Sequence, residues 1–180
     1  MYRFAAASKQ EIIVFGSAKP EFANEKVSDW IGYMQRQKIE RVCCLLPKKQ
    51  LAPYANLLGN YEQKFGHQKV CWTPIDDFTI PHPDALTGKI LPFLLEADKH
   101  SEKVVVHCSG GVGRTGLVLA AWLVYGRGFS NKTAIAAVNQ TGRNSYEAAI
   151  AAVFQAKNPL KVVADIDLLL TTIAHLSTFN

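Results

Sequence analysis

The chain has 180 residues, of which 48% are hydrophobic and 19% charged, and its formal net charge at pH 7 is +5. This balance excludes a disordered chain, and the length predicts one globular domain, over residues 1–180, with a core of its own. No apolar stretch approaches the ~18 residues that a membrane-spanning helix needs, so we expect no membrane segment.

The four cysteines, Cys43, Cys44, Cys71 and Cys108, form no CxxC or Cys/His metal-binding spacing. The sequence therefore predicts neither a metal nor a cofactor. Cys43 and Cys44 stand inside an apolar run, which favours reduced core thiols over a redox pair. The apolar segment 4–7 is too short for a secretion signal. Together these features predict a cytoplasmic protein.

Strands and helices alternate along the first half of the chain. Short apolar and β-branched runs predict the strands 2–4, 12–15, 41–46 and 69–72. Apolar residues at helical spacing predict one helix with Ser28 as its N-cap, running to about Gln37. The same spacing predicts a second helix over 51–65, which Gly66 ends.

The segment 73–83 is a polar interruption after the last of these strands. It contains three prolines and two adjacent carboxylates, Asp76 and Asp77. The prolines predict a stiff surface loop. Aspartate is also a common turn residue in such loops, so this segment alone assigns no role to either carboxylate.

The second half of the chain contains one strand and several helices. An apolar stripe predicts a helix over 83–101, but Gly88 and Pro92 interrupt it, so that a kinked helix and two shorter helices are both open. The run 103–106 predicts a buried strand, and 117–124 predicts a helix that is apolar on every side. Further helices are predicted over 131–139, 146–155 and 157–178. The alternation predicts an α/β fold with a central, mostly parallel sheet flanked by helices on both faces.

The buried strand and the apolar helix are joined by the segment His107–Gly116, with the sequence HCSGGVGRTG. Its glycines allow a turn in which successive N–H groups point into one cavity, where the helix N-terminus adds the positive end of its dipole. The pattern is neither a dinucleotide-binding G-x-G-x-x-G nor a Walker loop. We expect a phosphate-binding site formed by Ser109, Gly110, Gly111, Val112, Gly113 and Arg114.

Three side chains of this segment indicate a specific chemistry. Cys108 would lie at the floor of the cavity, where N–H dipoles and a guanidinium favour the thiolate, the nucleophilic form of the side chain. Arg114 presents a planar fork that matches two oxygens of a phosphoryl group. The Thr115 hydroxyl is placed to donate to the sulfur and help it leave when a covalent intermediate is hydrolysed. An inert buried cysteine is the alternative, but the whole pattern is too rare by chance to favour it.

The segment resembles the signature loop of the cysteine-dependent protein tyrosine phosphatase superfamily, in its small dual-specificity branch, at His107, Cys108, Gly111, Arg114, Thr115 and Gly116. The resemblance implies a metal-independent protein phosphatase that acts on phosphotyrosine and on phosphoserine or phosphothreonine. Cys108 would attack the phosphorus, Arg114 and the loop N–H groups would hold the oxygens, and a cysteinyl-phosphate would then be hydrolysed. The stretch 9–22 lacks the aromatic motif of tyrosine-specific relatives, which predicts a shallow cleft.

The same resemblance implies a general acid in the loop 73–83. Phosphatases of this family carry an aspartate in a mobile loop before the cysteine, and Asp77 matches best, with Asp76 as the runner-up. In the family a later loop supplies an Asn or Gln that orients the hydrolytic water. Asn144 and Gln140 are the candidates, and the alternative is that both are exposed polar residues without such a role.

Two other functions remain open. One is a phosphatase of a non-protein phosphate, such as an RNA 5′-triphosphate, a lipid or a small molecule, although residues 109–113 contain no basic side chain to bind extra phosphates. The other is a catalytically silent phosphopeptide-binding module, which the presence of Cys108, Arg114 and a candidate acid disfavours. No zinc-finger or RNP pattern supports nucleic-acid binding. We expect a monomer whose partner is a phosphorylated protein.

Overall fold

The computed structural model describes residues 2–155 and 157–177 of the chain. One sheet runs through them, with the strands β1 (Ala5–Ala6), β2 (Val14–Ala18), β3 (Ile39–Cys44), β4 (Val70–Trp72) and β5 (Lys103–Cys108) in the spatial order β1-β2-β5-β3-β4. The strands β2, β5, β3 and β4 are parallel, and β1 pairs with β2 in the antiparallel sense. The predicted mostly parallel sheet is thus confirmed. Because β5 is central, its carboxyl end is flanked by the ends of β2 and β3.

The helices cover both faces of this sheet, as the sequence predicts. The helices of the described residues are α1 (Asn24–Arg36), α2 (Lys48–Leu51), α3 (Leu57–Phe65), α4 (Pro83–Ala85), α5 (Leu91–Lys99), α6 (Gly113–Arg127), α7 (Asn131–Gln140), α8 (Glu147–Phe154) and α9 (Pro159–Ser177). The helices α1 and α3 pack on one face, whereas α5, α6 and α9 form the core of the other. None of these described helices is long and apolar enough to cross a membrane.

The alternation of side chains along β5 explains the two cores. Val104 and Val106 point into the cluster that contains α5, α6 and α9, whereas Val105 points into the cluster around Trp30 and Tyr61. All three valines are completely buried. The strand that leads to Cys108 is therefore held from both sides, which gives the loop after it a rigid support.

Two predicted boundaries near the N-terminus are wrong. The first edge strand is Ala5–Ala6 rather than 2–4. Helix α1 begins at Asn24, and its N-cap is Ala23, which makes no side-chain cap, so Ser28 lies inside the helix instead of capping it. The reason is that the apolar face already begins at Val27, one residue before Ser28, where it is buried.

The predicted helix 51–65 is divided into two in the structure. Helix α2 ends at Leu51, and α3 begins only after Asn56, whose Oδ1 accepts a hydrogen bond from the Gly59 N–H at 3.1 Å. Pro53 lies between them, and proline disfavours helical conformation in the residue before it. The separate short helix α2 brings Gln50 to the functional site described below.

The segment 83–101 is neither one kinked α-helix nor two α-helices joined by a loop. A wide π-helical turn, Leu86–Ile90, separates α4 from α5 and contains Gly88. Pro92 is the second residue of α5. Proline has no backbone N–H to donate to the preceding turn, and the wider π-helical turn before it does not require that hydrogen bond. The later helices lie close to their predicted positions, and the last predicted residue of the C-terminal helix, Thr178, lies outside the described residues.

Candidate active site

The loop 109–112 lies at the carboxyl end of β5 and is packed tightly against the end of β2. Ala18 pairs with Cys108, and the next residue, Lys19, donates its backbone N–H to the Ser109 carbonyl at 3.1 Å. Gly111 has φ +71°, and a Cβ there would lie 2.6 Å from the backbone of Ser17. Only glycine fits this position, because it tolerates both the left-handed conformation and the close approach.

The polarity of this loop is suited to an anion. The carbonyls of Ser109 and Gly111 are bound from outside, by the Lys19 N–H and by the Arg143 guanidinium. The N–H groups of residues 110–113 donate no hydrogen bond within the described part of the chain. The first turn of α6 follows directly. Carbonyls turned outward and N–H groups left free at a helix N-terminus are the features of an anion-binding loop.

Cys108 is buried, with 3% of its surface exposed, at the start of this loop. The Thr115 hydroxyl is completely buried and has no hydrogen-bond partner within the described residues. It therefore has a hydrogen free for a sulfur or a ligand. The role that the sequence predicts for Thr115, donation to the leaving thiolate, remains a prediction.

His107 is a structural neighbour of the cysteine. Its ring packs edge-on against Trp30 and Tyr61, with centroid distances of 5.3 and 5.6 Å. Burial lowers the pKa of His107 to about 4, so the imidazole is neutral at pH 7. Its Nδ1 lies 3.4 Å from the Cys108 carbonyl oxygen. The histidine thus fixes the strand below the loop and has no charge with which to act on the loop.

Arg114 is the centre of a hydrogen-bonded cluster that includes a residue the sequence did not indicate, Gln50. The guanidinium Nη1 donates to the Ile75 carbonyl at 3.0 Å and to the Gln50 Oε1 at 3.1 Å, and Nη2 lies 3.0 Å from the Asp77 Oδ1. The Gln50 Nε2 donates to the other Asp77 oxygen, Oδ2, at 3.1 Å. The structure therefore brings together Arg114 and Asp77, which the sequence predicted to share a site.

The two adjacent aspartates of the acid loop differ in what they contact. Asp76 points outward and pairs with Lys49 at 3.2 Å, and the side chains of both are more than 60% exposed. Asp77 points to Arg114 and is 36% exposed. The turn after it is made by Phe78, whose φ of +57° is unusual for a residue other than glycine. The two carboxylates thus have different partners, Lys49 for Asp76 and both Arg114 and Gln50 for Asp77.

Arg143, a second residue missed in the sequence, supports the loop from the far side. Its guanidinium donates to the carbonyls of Gly111, Arg3 at 3.0 Å and Ala5 at 3.3 Å, and only 4% of the residue is exposed. Burial lowers the pKa of Arg143 to about 10, which still leaves it charged at pH 7. The arginine ties the loop to the N-terminal edge of the sheet.

Unlike Arg143, the two residues predicted to orient the hydrolytic water, Asn144 and Gln140, form no hydrogen bond to the loop 109–112 within the described residues. The Asn144 Oδ1 accepts the Tyr146 N–H at 3.0 Å in a local turn, and Gln140 is exposed at the end of α7. A water-orienting role for either of them remains a prediction. The nearby carboxylate of Glu147 lies against Gly113, where a Cβ would come 2.0 Å from its Oε2, and the sequence gave no indication of this contact.

Aromatic side chains form the rim on the opposite side of the loop. Phe22, which is 48% exposed, packs edge-on against Tyr54 with a centroid distance of 5.0 Å. The Lys19 Nζ lies 3.7 Å from the centre of the Phe22 ring and 3.2 Å from the Tyr54 hydroxyl. Burial lowers the pKa of Lys19. A second exposed aromatic ring, that of Phe78, lies near Gly113 and Arg114.

Comparison with known proteins gives a consistent result. A family model described as dual specificity phosphatase, catalytic domain, matches residues 32–157. Tk-PTP in its active form has a TM-score of 0.65 and 26% identity, covering 87% of this chain and 92% of that one. PTPMT1 in complex with PI(5)P has a TM-score of 0.69 and 14% identity, covering 97% and 98%. TpbA of P. aeruginosa in complex with pTyr has a TM-score of 0.53 and 18% identity, covering 90% and 86%. The last two likenesses concern the fold alone.

Proposed function

Because this chain belongs to the dual specificity phosphatase family and is a cysteine-dependent phosphatase, we propose that its substrates are phosphoproteins. It hydrolyses phosphotyrosine, and more slowly phosphoserine or phosphothreonine, through a cysteinyl-phosphate intermediate. The observation that carries the proposal is the 3.0 Å ion pair between Arg114 and Asp77. This pair joins the loop after β4, which supplies a proton donor, to the loop after β5, which binds an anion.

The first chemical step transfers the phosphoryl group to the enzyme. The Cys108 thiolate attacks the phosphorus, an S–P bond forms and the P–O bond to the leaving group breaks. Asp77, in its protonated form, gives its proton to the leaving oxygen, which would otherwise depart as an alkoxide or phenoxide. The N–H groups of residues 110–113 and the Arg114 guanidinium stabilise the charge on the non-bridging oxygens.

The second step returns the enzyme to its starting state. The Asp77 carboxylate takes a proton from water, the water oxygen attacks phosphorus, and the S–P bond breaks to release phosphate and the Cys108 thiolate. The free Thr115 hydroxyl donates to the departing sulfur. Each step forms one bond and breaks one bond at phosphorus, and no oxidant or metal is consumed.

The exposed aromatic side chains near the loop favour an aromatic substrate but do not require one. Phe22 and Phe78 are each about half exposed, Phe78 near Arg114 and Phe22 beside Lys19, and their faces can pack on a tyrosyl ring. A serine or threonine phosphate forgoes that contact and has a poorer leaving group, so it depends more heavily on Asp77. We therefore expect both classes to react, with phosphotyrosine the faster.

Two measurements test this proposal. Cys108→Ser should abolish turnover of a phosphotyrosine peptide while the variant still binds tungstate, a phosphate mimic that needs the loop but not the sulfur. Residual turnover of the variant would contradict the role of Cys108. In matched peptides that differ only in the phosphorylated residue, a kcat/KM ratio above about 10⁴ in favour of phosphotyrosine would contradict the dual specificity.

Lys19 favours a second candidate, a phosphate monoester on a molecule that carries further phosphates. Its backbone N–H binds the loop at the Ser109 carbonyl, and its ammonium, near Phe22 and Tyr54, forms no salt bridge in the described part of the chain, so it supplies a cation that residues 109–113 lack. The PI(5)P bound to PTPMT1 is a ligand of this class. A higher kcat/KM on a phosphoinositide than on phosphopeptides, lost in Lys19→Met, would establish this second function in place of the first.

A further inference from the structure

The contacts of Gln50 point to a role in the reaction. We propose that Gln50 is a positioning residue, which orients the Arg114 guanidinium toward the phosphoryl group and holds the Asp77 carboxylate beside it. The proposal rests on the phosphatase function given above. Gln50 does not touch the reacting atoms, and it acts through the two side chains that do.

Arg114 has five N–H groups, and their partners determine which edge of the guanidinium is free for a ligand. Both hydrogens of Nη1 are used, one by the Ile75 carbonyl and one by the Gln50 Oε1. Nη2 lies 3.0 Å from the Asp77 Oδ1 in an ion pair. In the described part of the chain, neither Nε nor Nη2 donates a hydrogen bond. The Nε hydrogen and one Nη2 hydrogen lie on the same edge of the guanidinium and form the fork that binds two phosphoryl oxygens.

Gln50 thereby decides which edge of Arg114 is free. An arginine side chain rotates about several bonds, and a phosphate binds well only if the open edge faces it. The bond from Nη1 to Gln50, at 3.1 Å, opposes rotation because the Ile75 carbonyl holds the same nitrogen from a second direction. The guanidinium is therefore preorganised before the substrate arrives, and less conformational entropy is lost on binding.

The Asp77 carboxylate contacts both Arg114 and Gln50. Its Oδ1 faces Arg114 and its Oδ2 accepts from the Gln50 Nε2 at 3.1 Å. A primary amide is the side-chain group that offers an acceptor to the arginine and a donor to the carboxylate from one planar end. When Asp77 leaves Arg114 to reach the leaving oxygen, the amide remains bound to Arg114 and keeps the open edge in place.

The backbone places Gln50 for this role. The buried residues Leu45 and Leu46 continue from β3. Pro47 is the N-cap of α2, and its carbonyl accepts the Gln50 N–H at 2.8 Å. Helix α2 therefore starts at the carboxyl end of a strand adjacent to β5. Because the sheet holds β3 in register with β5, the distance from Gln50 to Arg114 is set by the core and not by a mobile loop.

Two substitutions at Gln50 separate a positioning role from a purely structural one. Gln50→Met removes both hydrogen bonds at similar volume, and we expect kcat for phosphotyrosine to fall about 10-fold or more, with a raised KM. Gln50→Glu keeps an acceptor for Arg114 but places a second carboxylate against Asp77, which favours protonated Asp77. We expect the basic limb of its kcat–pH profile to move to higher pH by about one unit, whereas KM stays near that of the wild type.

The matched control is Gln63→Met, at an exposed glutamine of α3, which should leave all of these values unchanged. If both Gln50 variants keep the kcat, KM and pH profile of an active wild type, the positioning role is overturned although the phosphatase function stands. If Gln50→Glu loses activity without a shift in its pH profile, the orientation of Asp77 is likewise overturned. If the wild-type protein itself fails to turn over any phosphotyrosine peptide, the underlying function fails, and that result is distinct from both.

Discussion

Helix α6 carries an arginine at each end, Arg114 in its first turn and Arg127 in its last. Arg127 donates all five N–H groups within the described residues: to both oxygens of Glu11, to both oxygens of Asp98, and to the Gly126 carbonyl. Arg114 donates two within the same residues, both from Nη1, and its Nη2 forms an ion pair with Asp77, so the edge formed by Nε and Nη2 has no hydrogen-bond acceptor there. One arginine is saturated by the protein, and the other is only partly occupied.

The number of hydrogen bonds that each guanidinium donates distinguishes a structural arginine from one that binds a ligand. Arg127 faces two carboxylates, so its surroundings carry a net negative charge that repels an additional anion. Arg114 faces one carboxylate and two neutral oxygens, and free N–H groups lie beside it. The functional arginine is therefore recognised by the donors that the protein leaves unused and not by its burial or its ion pair.

The largest expected loss of activity follows from changing Asp77, the carboxylate that pairs with Arg114 in the first turn of α6. Asp77→Asn should lower kcat by roughly 10²- to 10⁴-fold for tyrosyl or alkyl phosphates and flatten the basic limb of the pH profile, because no proton donor is left for the leaving oxygen. Asp76→Asn is the matched control, since that side chain pairs with Lys49 at the surface. A steady-state pH–rate comparison checks both. If the Asp76 variant were the more impaired, the role of general acid would pass to Asp76.

The two arginines themselves give the next largest effect. Arg114→Lys should lower kcat by about 10²-fold or more, because lysine cannot present two parallel donors to the phosphoryl group. Arg127→Lys should leave kcat unchanged, since its contacts end at Glu11 and Asp98. Parallel kinetics of the two variants make the test. Equal losses of kcat, or a change confined to KM in Arg114→Lys, would remove the distinction between the two ends.

His107 differs from both arginines, because it is a buried titratable group with no carboxylate partner in the described residues. Burial lowers its pKa to about 4, below its usual value, so the folded state disfavours the protonated form. Its stabilising effect is complete above pH ~6.5 and is lost as the pH falls toward 4, by about 3 kcal/mol in total. Urea unfolding at several pH values should show this loss in the wild type. His107→Gln should reduce it, and an identical pH dependence in that variant would contradict the assignment.

The smallest expected effect concerns Glu11, which pairs with Arg127 in the last turn of α6. Glu11 is 5% exposed, and although burial raises its pKa, hydrogen bonds from Arg127, Ile13 and Trp122 outweigh burial and lower it overall. Glu11→Gln should reduce the free energy of unfolding by roughly 2 kcal/mol at pH 7, and this difference should shrink as the pH falls and the Glu11 carboxylate of the wild type becomes protonated. Kinetics should not change. A fall in kcat would mean that this network also acts on the site.

The loop of Cys108 was readable in the sequence because its chemistry is local. Cysteine, glycines and arginine are fixed relative to one another by a strand before them and a helix after them, and both elements have strong patterns. Asp77 was assigned through a resemblance, and the structure adds the contact that distinguishes it from Asp76. The parallel sheet also followed from local patterns, since the alternation of elements restricts the topology.

What the sequence could not predict depends on contacts between distant segments. Gln50 and Arg114 are 64 residues apart, and Arg143 and Gly111 are 32 apart. Neither pair belongs to a spaced motif, so no local signal marks it. The short helix α2 was missed for a related reason, because the apolar spacing continues past Pro53 and conceals the break.

The central claim, that the open edge of Arg114 serves phosphoryl transfer to Cys108, has one most direct test. An Asp77→Asn variant should still transfer the phosphoryl group from p-nitrophenyl phosphate, whose leaving group needs little protonation, but should hydrolyse the intermediate slowly. Rapid mixing followed by a denaturing quench and mass spectrometry should show a burst of nitrophenol of about one equivalent per enzyme, with the phosphoryl group on Cys108. A phosphoryl group on another residue, or turnover without a covalent intermediate at Cys108, would contradict the account.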